Sequence, residues 1–181
     1  MGTWNATSFG NDEALDLLLR LESKKSPQRL LSELRRCFKR YAEFELKRSS
    51  GTNVLVMTEA YVNSLLSQLD PDYLDDDFIA RFRSRIGDLS VDDGSHEANA
   101  AIAASEILFA CVTRKFDRIH EDGQFLARSR MKPSLGDIQE SCEILTAVLA
   151  NTELVRTNSA MWRRNCKDLL VLLEGAKALA S

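Results

Sequence analysis

The sequence predicts an all-α fold: a single-domain, irregular bundle of six or seven helices around a buried central helix. The chain has 181 residues, enough for one core, and only three prolines and eight glycines interrupt it. A β-sandwich would need many more turns. The stretch from Ala100 to Val112 contains just two polar residues, Ser105 and Glu106. Because a helix that is apolar on most sides must be enclosed by others, we expect Ser95 to Ile119 to form the central helix, with Ser95 as its cap.

The first residues predict an ordered arm followed by a short helix. The first ten are rich in Gly, Thr, Ser and Asn, yet they include Trp4 and Phe9, two aromatic side chains that favour burial. Asn11 is a good helix cap, and two acids follow it in the first turn, where the helix dipole favours negative charge. We therefore expect the arm to pack on the bundle and a helix to run from Asp12 to Glu22.

Pro27 marks the start of the second helix, since proline at the first helical position sacrifices no hydrogen bond. The helix is expected to end near Lys47. Apolar residues with 3.6-residue spacing predict its buried face: Leu30, Leu31, Leu34, Phe38, Tyr41 and Phe44. The opposite face is basic, and its candidate binding residues are Arg29, Arg36, Arg40 and Lys47.

The remaining helices are predicted from caps and periodicity. Two short helices are expected at about 58–69 and 76–86, in a segment that also holds a run of acids. Residues 120–133 have weak periodicity and are expected to form a linker. Ser134 and Asp137 resemble a capping box that starts a helix ending near residue 150. The last helix is expected to reach about residue 178, with its start between Glu153 and Ser159.

Composition is typical of a globular protein of the reducing cytoplasm. Hydrophobic residues make up 44% and charged residues 28% of the chain. The opening residues lack the basic and apolar pattern of a secretion signal, and no apolar run is long enough to span a membrane. No metal or cofactor is predicted, because the sequence has neither paired zinc ligands nor a glycine-rich phosphate loop. We expect three or four of the cysteines to be free thiols in the core: Cys37, Cys111, Cys142 and Cys166.

Two short motifs resemble those of the DUF4259 family, an uncharacterised bacterial domain whose members begin MGxWG…F(D/E)NDxA and carry AxAAxE in the middle. Asn5 and Gly10 depart from the first motif, and 52–94 looks like an insertion relative to shorter members. The resemblance implies a bacterial source but brings no activity, cofactor or catalytic residue. The matching residues are Met1, Gly2, Trp4, Phe9, Asn11, Asp12 and Ala14, and then Ala101, Ala103, Ala104 and Glu106.

The predicted central helix has one polar seam, with three alternative interpretations. The first is a narrow strip that reaches solvent, since acids are rarely fully buried. The second is a buried Glu106 that clamps the arm through backbone N–H groups near Gly2 or through the Trp4 indole. The third is a catalytic or ligand-binding Glu106, acting with Asn11, Asp12 or Trp4. The seam consists of Asn99, Ala103, Glu106, Ala110, Thr113 and Asp117, which share one stripe at spacings of three and four.

Charge distribution favours a protein partner over nucleic acid. Residues 20–48 contain ten Lys or Arg and four acids, a balance of +6, whereas residues 69–97 contain nine acids and three Arg, a balance of −6. These blocks can face each other within one chain or between the two copies of a homodimer. A net charge of −3 and the absence of a nucleic-acid motif disfavour binding to DNA or RNA. We therefore expect a non-enzymatic, cytoplasmic protein-interaction module, similar in character to antitoxin or immunity proteins; the alternative is a hydrolytic or small-molecule-binding enzyme around Glu106.

Overall fold

The computed structural model describes residues 12–24, 26–50, 66, 77–81 and 94–180. These residues form helices and connecting turns without a β-strand, which confirms the predicted all-α class. The α-helices are α1 (Asp12–Glu22), α2 (Pro27–Ser49), α3 (Ser95–Thr113), α4 (Leu135–Ala150), α5 (Thr152–Thr157) and α6 (Ala160–Ala176). Two 3₁₀ helices accompany them, at Glu121–Arg128 and Lys177–Leu179.

The chain divides into two compact units by its internal contacts. The first comprises Met1–Glu43 and Gly94–Ser181, and the second comprises Phe44–Asp93. In the second unit the structure describes the last residues of α2, a buried Leu66 and a helical segment at 77–81. Most of the predicted insertion and the whole N-terminal arm lie outside the described residues.

Helix α3 is the centre of the first unit, as the sequence predicted. It packs against α1, α4 and α6, and α4 and α6 also pack against each other. Every residue from Ala101 to Cys111 is buried, including Ser105 and Glu106. Apolar residues on all sides of this helix are therefore covered by neighbouring helices, as a helix without a polar face requires.

The central helix begins at Ser95 as predicted, but its predicted end and its predicted cap need correction. Helix α3 ends at Thr113, six residues before the predicted Ile119, because Arg114 adopts a left-handed conformation with φ of 60°. Glycine usually occupies this position, so an arginine there gave no stop signal. At the other end the cap position is taken by Gly94, with φ of 76°, and Ser95 is the first helical residue and not the cap.

The segment after α3 is more ordered than the predicted linker. Residues Glu121–Arg128 form a 3₁₀ helix that packs against α1, with Gly123 and Leu126 buried. A Cβ atom at Gly123 would overlap Ile119 Cγ2 and lie 2.9 Å from Leu18 Cδ2. Glycine is thus required here by close approach of the chain to its neighbours.

Two helices whose first residues carry a local start signal begin where the sequence predicted. Helix α2 begins at Pro27. The capping box of α4 is complete: the Ser134 hydroxyl accepts from the Asp137 N–H, and the Asp137 carboxylate accepts from the Ser134 N–H. Arg35 of α2 donates to the same carboxylate, at 2.6 Å, and so joins α2 to α4.

The segment predicted as the last helix forms two helices, α5 and α6. A buried asparagine, Asn151, connects α5 to the preceding helix α4. The Asn151 N–H donates to the Ala147 carbonyl of α4, while its side-chain oxygen accepts from the N–H groups of Glu153 and Leu154 in α5. Asn151 therefore ends one helix and caps the next. Ser159 then caps α6 by accepting from the Trp162 N–H at 3.1 Å.

Candidate functional site

The carboxylate of Glu106 is sealed inside the first unit, with no exposed surface. Arg118 Nε donates to Glu106 Oε1 at 2.6 Å, and the Arg118 side chain retains 29% exposure. The seam therefore does not reach solvent at Glu106, although Asn99 and Thr113 are partly exposed and Asp117 is exposed beyond the end of α3. Two features explain the burial: α1, α4 and α6 cover α3, and the early end of α3 lets the chain turn back so that Arg118 meets Glu106.

The polar seam of α3 faces α6. Asn99 Oδ1 accepts from the indole Nε1 of Trp162 at 3.2 Å, and Trp162 is buried. One turn further along α6, burial and the negative charge of Glu106 raise the pKa of Cys166 to about 12. The hydrogen bond from Trp162 to Asn99 thus gives the seam a polar contact with α6, as buried polar groups require partners.

The predicted contact between Glu106 and the N-terminal arm involves residues beyond those the structure describes. Trp4 and Asn11 lie outside the described part of the chain. Asp12 is the first residue of α1 and is exposed. The clamp therefore stays a prediction, whereas the Glu106 to Arg118 pair is observed.

The basic face of α2 contains three aligned cations that we call the cationic stripe: Arg29, Arg36 and Arg40. All three are exposed, and among the described residues none has a carboxylate within ion-pair distance. Their spacings of seven and four place them within a sector of about 40° on the helix. Lys47 is also exposed and lies in the part of α2 that belongs to the second unit.

Other basic residues of α2 are neutralised within the chain. Arg35 pairs with the buried Asp137 at 2.6 Å, and Lys39 pairs with Glu43 at 3.7 Å. Part of the predicted basic face is therefore ion-paired, whereas the three arginines of the cationic stripe form no ion pair within the described part of the chain. The pair of Lys39 and Glu43 follows from their spacing of four within α2, whereas the pair of Arg35 depends on a residue of α4 and could not be read from the sequence of α2.

A small polar cavity of about 120 Å³ lies next to Arg40. Its walls come from three helices and include Glu13, Asp16, Arg20 and Glu97. His96 Nδ1 lies 2.5 Å from Glu13 Oε1. Sequence reasoning missed this cluster because α1, α2 and α3 each contribute only a few residues that are unremarkable alone. Three acids, two arginines and a histidine line the space, and its volume suits a few water molecules better than an organic substrate.

The described cysteines do not provide a reactive nucleophile. All four are free and buried, which confirms the prediction for their state. Burial raises the pKa of Cys37 and brings the pKa of Cys111 to about 12. Burial and the nearby Glu174 raise the pKa of Cys142 to about 11. Since the thiolate is the reactive form, these thiols are suited to packing.

Within the described residues no group of three or more His, Cys, Asp or Glu side chains is arranged to hold a metal ion. Among the described helices, none combines the length and the apolar character that a membrane span requires. No family model matches the chain, and comparisons with curated proteins and with solved structures likewise found no match. The resemblance to the DUF4259 family accordingly stays a prediction.

Proposed function

We propose that this protein is a non-enzymatic, cytoplasmic protein-binding module whose cationic stripe docks onto an acidic surface of its partner. The observation that carries the proposal is the alignment of Arg29, Arg36 and Arg40, all exposed and all without an ion pair in the described residues. The stripe extends for about 16 Å along α2, the length of three helical turns. A partner helix with carboxylates at matching spacing would complement it.

Two observations favour a protein partner over a phosphate backbone. The chain has a net charge of −3, so the protein outside the stripe repels the negative charge of a nucleic acid. In addition, Glu43 lies on the same helix, close to the stripe, and forms an ion pair with Lys39 at 3.7 Å. A carboxylate in this position weakens the local positive potential that a polyanion requires.

The arrangement around Glu106 supports a structural role and not a catalytic one. A catalytic carboxylate needs access to substrate and converging polar groups in a pocket. Glu106 is fully buried, and the cation that meets it is Arg118, which bridges the turn after α3 to the seam. The seam therefore supports a scaffold that presents its outer helices.

An antitoxin or immunity protein of a bacterium is a setting in which such a module would act, and membership of the DUF4259 family is part of this proposal. The charge balance of −6 over residues 69–97 makes a second copy of the chain a candidate acidic partner. A homodimer is therefore one form that the proposed interaction takes. Light scattering measures the mass of the native protein and of a variant that lacks the stripe. If the stripe forms the homodimer, the native protein is a dimer and the variant is a monomer.

The test uses a helical peptide whose glutamates repeat at the spacing of the stripe, and a matched peptide with glutamine in their place. The stripe variant carries Arg29→Gln, Arg36→Gln and Arg40→Gln. The control variant loses three exposed charges elsewhere in the first unit, through Lys115→Gln, Arg128→Gln and Arg164→Gln. Fluorescence anisotropy measures binding, and circular dichroism checks that both variants keep their helices.

We expect the native protein and the control variant to bind the acidic peptide, and the stripe variant to bind it about tenfold more weakly, as three exposed ion pairs allow. The glutamine peptide should not bind. Equal binding by the stripe and control variants would show that the stripe is only a solvated surface. Tighter binding of duplex DNA or RNA than of the peptide would replace the proposal with a nucleic-acid function.

A further inference from the structure

A second cavity, of about 350 Å³, lies at the C-terminal end of α3. It is formed by the last turn of α3, the connection before α4 and the final 3₁₀ helix. Its volume is within the range of small-molecule sites, whereas the volume of the polar cavity near Arg40 is smaller than that range. Its walls include Val112, Arg114, Arg130, Met131, Lys132 and Leu179.

The charges on this cavity have one sign. Arg114, Arg130 and Lys132 line it, and no acid does so among the described residues. Neither Arg130 nor Lys132 has a carboxylate within ion-pair distance in the described part of the chain. Three cations around one space repel each other, so an anion in the cavity would be stabilised by all three.

One of the cations is held in place by contacts within the first unit. The Arg114 guanidinium donates from Nη2 to the Ala127 carbonyl at 2.8 Å. It also lies over the ring of Phe116, with Cζ 5.5 Å from the ring centre. These contacts reduce the side-chain freedom that binding would otherwise cost, which is the advantage of a preorganised site.

The rest of the wall is apolar. Met131 is buried, and Val112 is partly buried, on the inner side of the cavity. Leu179 is 63% exposed although its side chain is large and apolar. A ligand with a hydrocarbon body would cover this leucine and remove its surface from water.

The backbone at the cavity supplies an independent observation. Arg114 and Arg130, with φ of 60° and 53°, are the non-glycine residues of positive φ in the described part of the chain. A left-handed conformation costs a residue with a Cβ about 1 kcal/mol, and glycine or asparagine usually occupies it. Both strained positions carry arginine, and both arginines line the same cavity. Strain of this kind concentrates at ligand-binding sites.

We infer that this cavity binds a small organic anion, with a carboxylate or phosphate head at Arg114, Arg130 and Lys132 and an apolar body against Val112, Met131 and Leu179. The head exchanges its hydration for charge-assisted hydrogen bonds. The body accounts for the apolar wall, which a binding site for free phosphate would not need. The site is separate from the cationic stripe, so this inference does not depend on the proposed function.

Three probes separate the contributions of head and body: octanoate, the neutral octanol and inorganic phosphate. Calorimetry on the native protein should show saturable binding of octanoate, with octanol and phosphate each bound at least about tenfold more weakly. Equal binding of phosphate and octanoate would show that the apolar wall plays no part and would overturn the inference. No saturable binding of octanoate would also overturn it. An alkyl phosphate that binds more tightly than octanoate would identify the head as phosphate.

Variants of exposed residues test the position of the ligand without endangering the fold. Arg130→Gly removes one cation and also relieves the positive φ, so the variant should fold at least as well as the native chain. It should bind octanoate about tenfold more weakly. Arg128→Gln is the matched control, because Arg128 is exposed, is two residues away and does not line the cavity. Equal losses in the two variants would place the ligand elsewhere and refute the inference.

Discussion

The carboxylate of Asp137 offers the sharpest test of how α2 and α4 are held together. The residue is 3% exposed, and three hydrogen bonds reach it: from Arg35 Nε at 2.6 Å, and from the Ser134 N–H and hydroxyl, each at 2.7 Å. Burial alone would raise the pKa of Asp137, but the hydrogen bonds from Arg35 and Ser134 outweigh it and hold the pKa below its usual value. The perturbation is Asp137→Asn, which keeps the shape and removes the charge.

The asparagine can accept with only one of its two terminal atoms, so either Arg35 or Ser134 loses its acceptor. Loss of one charge-assisted hydrogen bond and weakening of the cap should lower the free energy of unfolding by about 2–4 kcal/mol at pH 7. The ion pair with Arg35 contributes the smaller part of this free energy, because 54% of the Arg35 side chain is exposed and water screens the pair. We expect a coupling energy of about 1 kcal/mol between Arg35→Gln and Asp137→Asn.

Urea unfolding of the native chain, both single variants and the double variant measures this coupling. A carboxyl group with a lowered pKa stabilises the fold above its unfolded-state pKa of about 3.9, and this stability is lost as pH falls through the lower folded-state value. The difference between native chain and Asp137→Asn should therefore narrow below about pH 4. The exposed pair Arg156 and Glu153, at 2.7 Å, is the matched control. A coupling no larger than in this control, or a difference that does not change with pH, would refute the reasoning.

Three further predictions concern the interior. Arg118→Ala removes the cation that faces a buried carboxylate and should cost about 2–4 kcal/mol in urea unfolding; a cost no larger than that of a surface substitution would contradict the observed pair. Gly123→Ala should destabilise by about 1–3 kcal/mol, since its methyl group overlaps Ile119, whereas Gly175→Ala, with open space around it in α6, should stabilise by about 0.5–1 kcal/mol in the same assay. Iodoacetamide at neutral pH should modify the native thiols far more slowly than the unfolded ones, and fast labelling would argue against the raised pKa of Cys37, Cys111, Cys142 and Cys166.

The sequence predicted those parts of the fold that have a local cause. Pro27 and the pair Ser134 and Asp137 act within one turn of the chain, so they located the starts of α2 and α4 correctly. The apolar run of α3 likewise predicted a buried central helix, because a helix that is hydrophobic on all sides must be covered by its neighbours.

The missed features depend on contacts between residues that are distant in sequence or on an unusual backbone. The end of α3 rests on the left-handed Arg114, where no glycine marked a stop. That reversal makes the contact of Arg118 with Glu106, which a helix continuing to Ile119 would have prevented. The cavity lined by Arg114, Arg130 and Lys132 is likewise formed by three separate segments of the chain, none of which has a motif.

The connection between α4 and α5 at Asn151 limits how the length of this protein can vary. Since this single residue ends α4 and caps α5, no spare loop residue is present to absorb an insertion. One added residue inside a helix turns everything beyond it by about 100°, which would move Trp162 away from Asn99. Insertions and deletions should therefore be tolerated poorly between α4 and α5. Homologous chains of different length should keep this connection constant while other connections vary.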